Sequence, residues 1–162
     1  MQIRSRQAVR ALLLTPQQQI LMLRLKTERY TFWIAPGGGM NPGETEHQAL
    51  RRELMEETGL SDVRIGPCVW TRQTTYTLGP SDTPEVEVHQ SERFYLVPSP
   101  QFEPSAHNMP DETERDWFQG FRWLTACDIR QLPEAVAPSQ LASELDRLIA
   151  LGPPSLPLAI AR

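Results

Sequence analysis

Short apolar runs separated by turn-forming residues occupy the start of the chain. Residues 9–14 (VRALLL) and 20–25 (ILMLRL) are two such runs, and TPQQQ stands between them. Apolar runs of this length, bounded by turn signals, predict two adjacent strands, most simply a hairpin. A third run at 31–34 (TFWI) also favours a strand. It leads into residues 36–39 (PGGG), where the backbone can turn sharply or approach a ligand closely.

The pattern changes to that of a helix after residue 44. Thr45 and Gln48 have the spacing of a capping box, in which two side chains satisfy the free N–H groups of a helix start. The residues that follow are mostly Ala, Leu, Arg and Glu as far as Gly59, which can end a helix. These features predict a helix over residues 46–58.

The second half of the chain again mixes strand-like and helix-like segments. Residues 63–77 and 86–97 predict strands because they are rich in Val, Thr, Tyr and Phe, and the breaker-rich residues 78–84 separate them. The polar residues 98–116 predict a long loop, and loops of that length in compact domains are usually functional or disordered.

Three shorter segments complete the pattern. Residues 121–124 (FRWL) predict a return to the sheet, and residues 125–128 (TACD) begin a short helix. Residues 139–151 carry leucines at helical spacing and end at a Gly-Pro-Pro stop. Residues 155–162 form a tail whose structure the sequence does not predict. Together the segments predict a mixed α/β or α+β fold.

Length and composition favour one domain. A chain of 162 residues with 40% hydrophobic residues can bury one sizeable core and is too short for two. We therefore expect a single domain over residues 1–162, with 152–162 as a proline-rich tail. No apolar run approaches the roughly 20 residues of a membrane span, so we expect a cytoplasmic protein without membrane contact.

Charge and cysteine usage exclude further classes. A net charge of −4 leaves no overall basic field, so long nucleic acid is not an expected partner. Cys68 and Cys127 are far apart and in no CxxC arrangement, which argues against a disulfide framework and a zinc site. We expect two reduced core thiols.

The predicted helix carries several carboxylates on one stripe. Glu53, Glu56 and Glu57 share a face at three- and four-residue spacing, with Glu46 two turns earlier. Their mutual repulsion would be relieved by a cation, and Mg²⁺ takes carboxylate oxygens together with substrate phosphate oxygens. The alternative is an ordinary solvated helix face in which Arg52 pairs with Glu56.

The order of the whole segment favours the metal hypothesis. Gly38 is followed after five residues by Glu44 and, after seven more, by RELMEETGL at 52–60. This order resembles the Nudix box at every defined position, and so restrictive a motif is far more specific than a lone glycine pattern. Further landmarks of the family are VRALLL, the WIAPGG entry, ERFYL at 92–96 and RWL at 122–124, so the resemblance covers about residues 6–132.

The resemblance to Nudix hydrolases implies a fold and a reaction. The fold would be a mixed β-sheet held between helices. The reaction would be water attack on the diphosphate linkage of a nucleoside di- or triphosphate derivative, with Mg²⁺ or Mn²⁺ as cofactor and a small molecule as partner; a homodimer is compatible with it. The competing class is a non-catalytic Nudix-like module that binds a nucleotide and regulates a partner. Such modules usually lack an intact box and carry an effector domain.

Roles follow position by position from the resemblance. The implied metal ligands are three helix carboxylates and one loop carbonyl: Glu53, Glu56, Glu57 and Gly37. Arg52 would orient the carboxylates through salt bridges, and Glu44 would brace the loop or the glutamates. Gly38 and Gly59 would answer backbone needs at the loop and the helix end, while Leu54 and Leu60 would face the core.

A further carboxylate is expected from the long loop. Family members often recruit one there as a metal ligand or general base, and the loop offers Glu112 and Glu114. Glu114 is favoured because it precedes the Arg-Trp strand. Since the two candidates are so close in sequence, at least one is expected to be an exposed bystander.

Candidate substrate contacts are less specific. Arg24, Lys26 and Arg29 can neutralise phosphates, although ordinary surface charge explains them equally well. The loop glycines Gly37 and Gly38 would lie against the substrate. Tyr76 stands sixteen residues after Leu60, a spacing that resembles dinucleoside-polyphosphate hydrolases. The sequence leaves the substrate open.

Overall fold

Strands dominate the computed structural model, which describes residues 2–79 and 85–161. In chain order the strands are β1 (Gln2–Leu14), β2 (Ile20–Lys26), β3 (Thr31–Ile34), β4 (Gly37–Gly39), β5 (Cys68–Leu78), β6 (Val86–Pro98), β7 (Phe118–Leu124), β8 (Ala135–Ala137) and β9 (Leu158–Ile160). The helices are α1 (Glu46–Thr58), α2 (Glu112–Trp117), α3 (Ala126–Arg130) and α4 (Leu141–Leu151). Residues 80–84 of the predicted breaker segment lie outside the described residues.

The described strands form one mixed sheet around the parallel pair of β1 and β6. This pairing runs from Gln2 beside Val86 to Leu14 beside Pro98. The order across the sheet is β8-β3-β2-β1-β6-β5-β9, and in addition β4 pairs with β1 and β7 with β2. The two longest strands therefore lie in the middle, where residues of both faces are covered.

Alternate residues of β1 enter different hydrophobic cores. Leu12 packs in a cluster with residues of α3 and α4, whereas Leu13 packs with Leu50 and Leu54 of α1. Neighbouring strand residues point to opposite faces of a sheet, so α1 covers one face and α3 and α4 cover the other. The predicted mixed sheet between helices is confirmed.

Helix α1 begins and ends where the sequence predicts. The Thr45 side chain accepts a hydrogen bond from Gln48 N at 3.1 Å, and the Gln48 side chain accepts one from Thr45 N at 3.0 Å. This is the predicted capping box. Gly59 ends the helix at a φ of 75°, a left-handed conformation that glycine adopts without steric cost.

Three segments differ from their predicted structure. The glycine segment that was expected to be a loop contains the three-residue strand β4, which pairs with β1. The strand predicted to begin at 63 begins at Cys68. The loop predicted over 98–116 ends in the short helix α2, because the Asp111 carboxylate accepts from the N–H groups of Thr113 and Glu114 at 2.7 and 3.3 Å. An aspartate at this position is an ordinary helix-start signal, which the loop prediction overlooked.

The C-terminal segment belongs to the sheet. Its strand β9 pairs in parallel with β5, with Leu158 beside Trp70 and Ile160 beside Arg72. An edge strand offers free backbone N–H and C=O groups, which a short apolar segment can pair. The tail that the sequence left open therefore covers the edge at β5.

The cysteines are free thiols, as predicted, but only one is partly covered. Cys68 is half-buried and Cys127 is exposed. The expectation of a core position is wrong for Cys127, since the buried residues of α3 are Ala126 and Ile129 on its inner side. No helix among the described residues is long and apolar enough to cross a membrane.

Two leucines of α4 provide a matched test of the core. Leu145 is fully buried, whereas Leu151 at the end of the same helix is 74% exposed. We expect Leu145→Ala to lower the free energy of unfolding by about 2–5 kcal/mol, because it leaves a cavity. Leu151→Ala should change it by no more than about 0.5 kcal/mol. Urea unfolding measures both, and equal losses would contradict the packing of α4.

Candidate active site

Arg52 on the polar face of α1 forms hydrogen bonds to several carboxylates. Its guanidinium donates to Glu44 at 2.6 and 3.0 Å, to Glu53 at 2.9 Å and to Glu56 at 3.3 Å. It also donates to the Gly39 carbonyl at 2.9 Å. Arg52 therefore connects the helix to residues 36–39, which we call the glycine loop. The hydrogen bonds from Arg52 to Glu44, followed by one from the Asn41 N–H, lower the pKa of Glu44 to about 2.

Glu57 lies on the same helix where it meets the loop. Its carboxylate accepts a hydrogen bond from Gly37 N at 2.8 Å. Burial, reinforced by the charge of Glu53, raises the pKa of Glu57 to about 8. Burial also raises the pKa of Glu53, whose residue is only 6% exposed. The favourable contacts of these two carboxylates do not offset the cost of taking their charge out of water.

Glu114 approaches this cluster from α2. Burial is the main cause that raises the pKa of Glu114, and the negative charges of Glu53, Asp111 and Glu56 raise it further. Glu114 therefore shares an electrostatic environment with the α1 carboxylates, and it lines a cavity that Glu57 also lines. Glu112 and Glu114 are both exposed as whole residues, but Glu112 is not among the described residues that line this cavity.

Glu46 does not join the other helix carboxylates. It accepts a hydrogen bond from Tyr95 and forms an ion pair with Arg93 at 3.1 Å. The expected stripe of four convergent carboxylates is therefore wrong for Glu46. At two turns from Glu53 it lies roughly 10 Å farther along the helix axis, which places it over β6 instead of the loop.

The glycine loop is shaped by close packing. A Cβ atom on Gly37 would lie 2.0 Å from the Val9 carbonyl oxygen, and one on Gly38 would lie 2.6 Å from a Glu53 oxygen. Gly37 also has a φ of 146°, which L side chains rarely adopt. Only glycine at position 37 therefore lets β4 pair with β1, and a side chain at position 38 would displace the Glu53 carboxylate.

A buried polar network crosses β1, β6 and β5. The fully buried Glu92 accepts from Arg10 at 3.1 Å, from Arg72 at 3.0 Å and from Gln90 at 2.8 Å. The Gln90 side chain in turn accepts from Tyr76 OH at 3.2 Å, and Tyr76 OH accepts from Arg6 at 2.9 Å. The bonds form a continuous chain that starts from Arg10 on β1, passes through β6 and β5, and returns to Arg6 on β1.

Arg10 connects this network to the loop. Its Nη1 donates to the carbonyl oxygens of Ala35 and Gly37 at 3.3 and 3.1 Å. The backbone of Gly37 is thus held at both ends, by Arg10 on its carbonyl and by Glu57 on its N–H. Sequence reasoning assigned no role to Arg10 or Glu92. The available signal was a charged residue within the otherwise apolar strand run at 9–14.

A cavity of about 450 Å³ brings these groups together. Its polar lining contains Glu57 and Glu114 from the helices and three arginines from the strands: Arg6, Arg10 and Arg72. The remainder of the lining is largely apolar and includes Leu25, Phe32, Ile34, Met109 and Trp117. A polar end beside an apolar end suits a ligand with an anionic group attached to a flat or apolar body.

The predicted substrate contacts divide into two groups. Gly37, Gly38, Arg29 and Tyr76 line the cavity, and Arg29 also pairs with Glu85 at 2.9 Å. Of the described cavity-lining residues, none is Arg24 or Lys26. Arg24 is paired at 2.8 Å with Glu134, which also accepts from the Trp33 indole. The geometry therefore does not bring Arg24 to the candidate site.

The carboxylate and carbonyl oxygens at this site suit a hard divalent cation, although the side chains alone do not form a complete set of ligands. Among the described residues, no three acidic, histidine or cysteine side chains converge closely enough to hold a metal by themselves. Glu53 and Glu56 face Arg52, and Glu57 faces Gly37 N. Mg²⁺ usually completes its shell with water, backbone carbonyls and substrate phosphates, so buried carboxylates beside the Gly37 carbonyl suit it.

Comparison with known proteins identifies the family of the chain. The model of the NUDIX domain family matches residues 4–145. An RNA pyrophosphohydrolase of Shigella boydii is 38% identical over 98 residues, an alignment covering 57% of this chain and 54% of the relative. One of Erwinia tasmaniensis is 37% identical with 57% and 55% coverage. The chain thus spans about half the length of the curated relatives it matches.

Solved structures share the fold. The E. coli dihydroneopterin triphosphate pyrophosphohydrolase superposes with a TM-score of 0.62 at 15% identity, covering 89% of this chain and 94% of that one. A MutT NUDIX hydrolase from Burkholderia pseudomallei gives 0.57 at 19% identity, with 88% and 98% coverage. At such identities the likeness concerns the arrangement of helices and strands.

The raised pKa of Glu57 predicts how stability changes with pH. A carboxyl whose pKa is about 8 when folded and 4.5 ordinarily favours folding when protonated. This stabilisation is fully present below pH 4.5 and is lost as the pH rises towards about 8. In EDTA, we expect the wild-type Tm to fall over this range more steeply than that of Glu57→Gln. The exposed Glu103→Gln serves as control and should follow wild type; three parallel curves would contradict the assignment.

Proposed function

Because the chain belongs to the Nudix family, we propose that it hydrolyses the diphosphate linkage of a nucleoside di- or triphosphate derivative with Mg²⁺ as cofactor. The observation that carries this proposal is the pair of mutually repelling carboxylates beside the glycine loop, the buried Glu53 and the half-buried Glu57. A site in which ionisation of two carboxyl groups is so unfavourable gains stability when a cation enters it.

The cation would be held by residues of α1 and the loop. Glu53, Glu56 and Glu57 supply carboxylate oxygens, and Gly37 supplies a carbonyl oxygen. When bound, Mg²⁺ supplies positive charge for phosphate oxygens and for the water that attacks phosphorus. Mn²⁺ offers the same ligand preference. Arg52 positions the carboxylates, and Glu44 holds Arg52 in place through its two hydrogen bonds.

Glu114 is the proposed general base. It lies in the carboxylate cluster, and its raised pKa favours accepting a proton. Water forms a new bond to one phosphorus, the bridging P–O bond breaks, and the leaving phosphate takes the electron pair. The water proton passes to a carboxylate, and a second phosphorylated product is released.

The cavity would hold the remainder of the substrate. Its apolar lining suits a base or other flat group, and Tyr76 and Arg29 lie in its wall. The relatives named RNA pyrophosphohydrolase support a reaction on nucleotide material. A net charge of −4 gives no basic surface for a long polyanion, so we favour a small nucleotide. The family match over 4–145 supports treating the chain as one Nudix domain.

A substrate screen tests the function. Nucleoside di- and triphosphates, dinucleoside polyphosphates and a short RNA with a 5′-triphosphate would be incubated with Mg²⁺, Mn²⁺ or EDTA, and products resolved by chromatography. We expect turnover only with metal. On the substrate identified, Glu57→Gln should lower kcat/KM by at least roughly 100-fold because the cation is misplaced. Nucleotide binding without hydrolysis under every condition would instead support a regulatory module.

The two loop acids should differ in their effect on catalysis. Glu114→Gln keeps the side-chain size but removes the proton acceptor, so kcat should fall by roughly 100-fold or more. Glu112→Gln changes an exposed residue of the same helix and should leave kcat within about twofold of wild type. Steady-state kinetics at saturating Mg²⁺ separates them, and near-wild-type rates for Glu114→Gln would remove it from the catalytic group.

A further inference from the structure

The arginines of the polar network outnumber their carboxylate partners. Arg10 and Arg72 share the single buried carboxylate of Glu92, whose side chain is 1% exposed. Both arginine side chains are only 10% exposed. Glu57 and Glu53 also act on Arg10 through their charge, whereas Glu92 is the only carboxylate among the described residues that acts on Arg72. A buried charge is costly unless it is paired.

Arg10 and Arg72 differ in how fully they are used. Arg10 donates to Glu92 and to two backbone carbonyls. Arg72 donates through Nη1 to Glu92, but its buried Nε–H has no hydrogen-bond partner among the described residues. Burial, with a contribution from the Arg10 cation, lowers the pKa of Arg72 despite the attraction of Glu92. Arg72 is therefore the less satisfied of the two.

The unsatisfied arginine lies in the wall of the cavity. Arg72, Thr74 and Tyr76 are alternate residues of β5, so they share one face of the strand, and each lines the cavity. Arg6 of β1 lines it too and donates to Tyr76 OH. The cavity wall therefore contains a guanidinium that the protein does not fully bond, although its Nε atom itself is covered.

We propose that Arg72 binds a phosphate group of the substrate on the sheet side of the cavity, separate from the oxygens held through the α1 glutamates. This inference rests on the proposed function, and it makes a second anionic group a requirement for good substrates. A phosphate oxygen would accept from the Arg72 guanidinium and offset its positive charge; charge-assisted bonds of this kind are the strong ones. Arg10 keeps Glu92 paired and so holds Arg72 in place.

Removing Arg72 should not unfold the chain. Glu92 would keep its bonds from Arg10 and Gln90, and one of two like charges would be lost. Arg72→Gln is therefore the informative variant, and Arg72→Lys retains the charge without the fixed Nε–H. Arg122→Gln is the matched control, because Arg122 is exposed on β7 beside Trp33 and does not line the cavity that Arg72 lines.

Calorimetry with inorganic pyrophosphate in EDTA measures the anion site without metal or turnover. We expect wild type and Arg122→Gln to bind alike, Arg72→Gln to bind at least roughly 10-fold more weakly, and Arg72→Lys to fall between them. On the identified substrate, Arg72→Gln should raise KM by a similar factor with a smaller change in kcat.

The outcomes separate the subsite from the reaction. If Arg72→Gln binds pyrophosphate as wild type does, or if Arg122→Gln weakens it equally, the subsite is overturned whether or not the protein is a hydrolase. If binding depends on Arg72 while no substrate is hydrolysed, the subsite stands and the proposed reaction fails. Wild-type protein that binds no pyrophosphate in EDTA also overturns the proposal.

Discussion

The close approach of β4 to β1 is the constraint on which the site depends. A side chain on Gly37 would collide with the Val9 carbonyl, and one on Gly38 would collide with Glu53. Without those side chains, the loop lies near enough for Arg10 to reach the Gly37 carbonyl and for Glu57 to reach its N–H. Backbone packing thereby fixes the loop oxygen and the helix carboxylates relative to one another, before any ligand is present.

Two unbalanced sets of charge meet in the cavity. The helices contribute carboxylates whose pKa values are raised by burial and mutual repulsion, whereas the strands contribute arginines in excess of their partner Glu92. Each set is unfavourable alone. A ligand that brings both a cation and phosphates would satisfy both sets, which is why the charge distribution of the protein is informative about the chemistry it supports.

The loss of stability that these charges impose is offset elsewhere. The long pairing of β1 with β6 and the cores on both faces of the sheet hold Arg10, Glu92 and Gln90 in place. Because each member of this network has several partners, its geometry is better fixed than that of an exposed ion pair. Arg72 lies in this network with its Nε–H unbonded among the described residues.

Local sequence determined the parts whose signals are local. The spacing of Thr45, Gln48 and Gly59 gave the limits of α1, and the order from Gly38 to Leu60 identified the family, because caps and helix faces follow from residues a few positions apart. Only the tertiary structure decided that Glu46 turns to Arg93, that Arg24 pairs with Glu134, and that Arg10, Arg72 and Glu92 meet. Those pairings join residues far apart in the chain through strand register, and a strand's partners cannot be read from its own sequence.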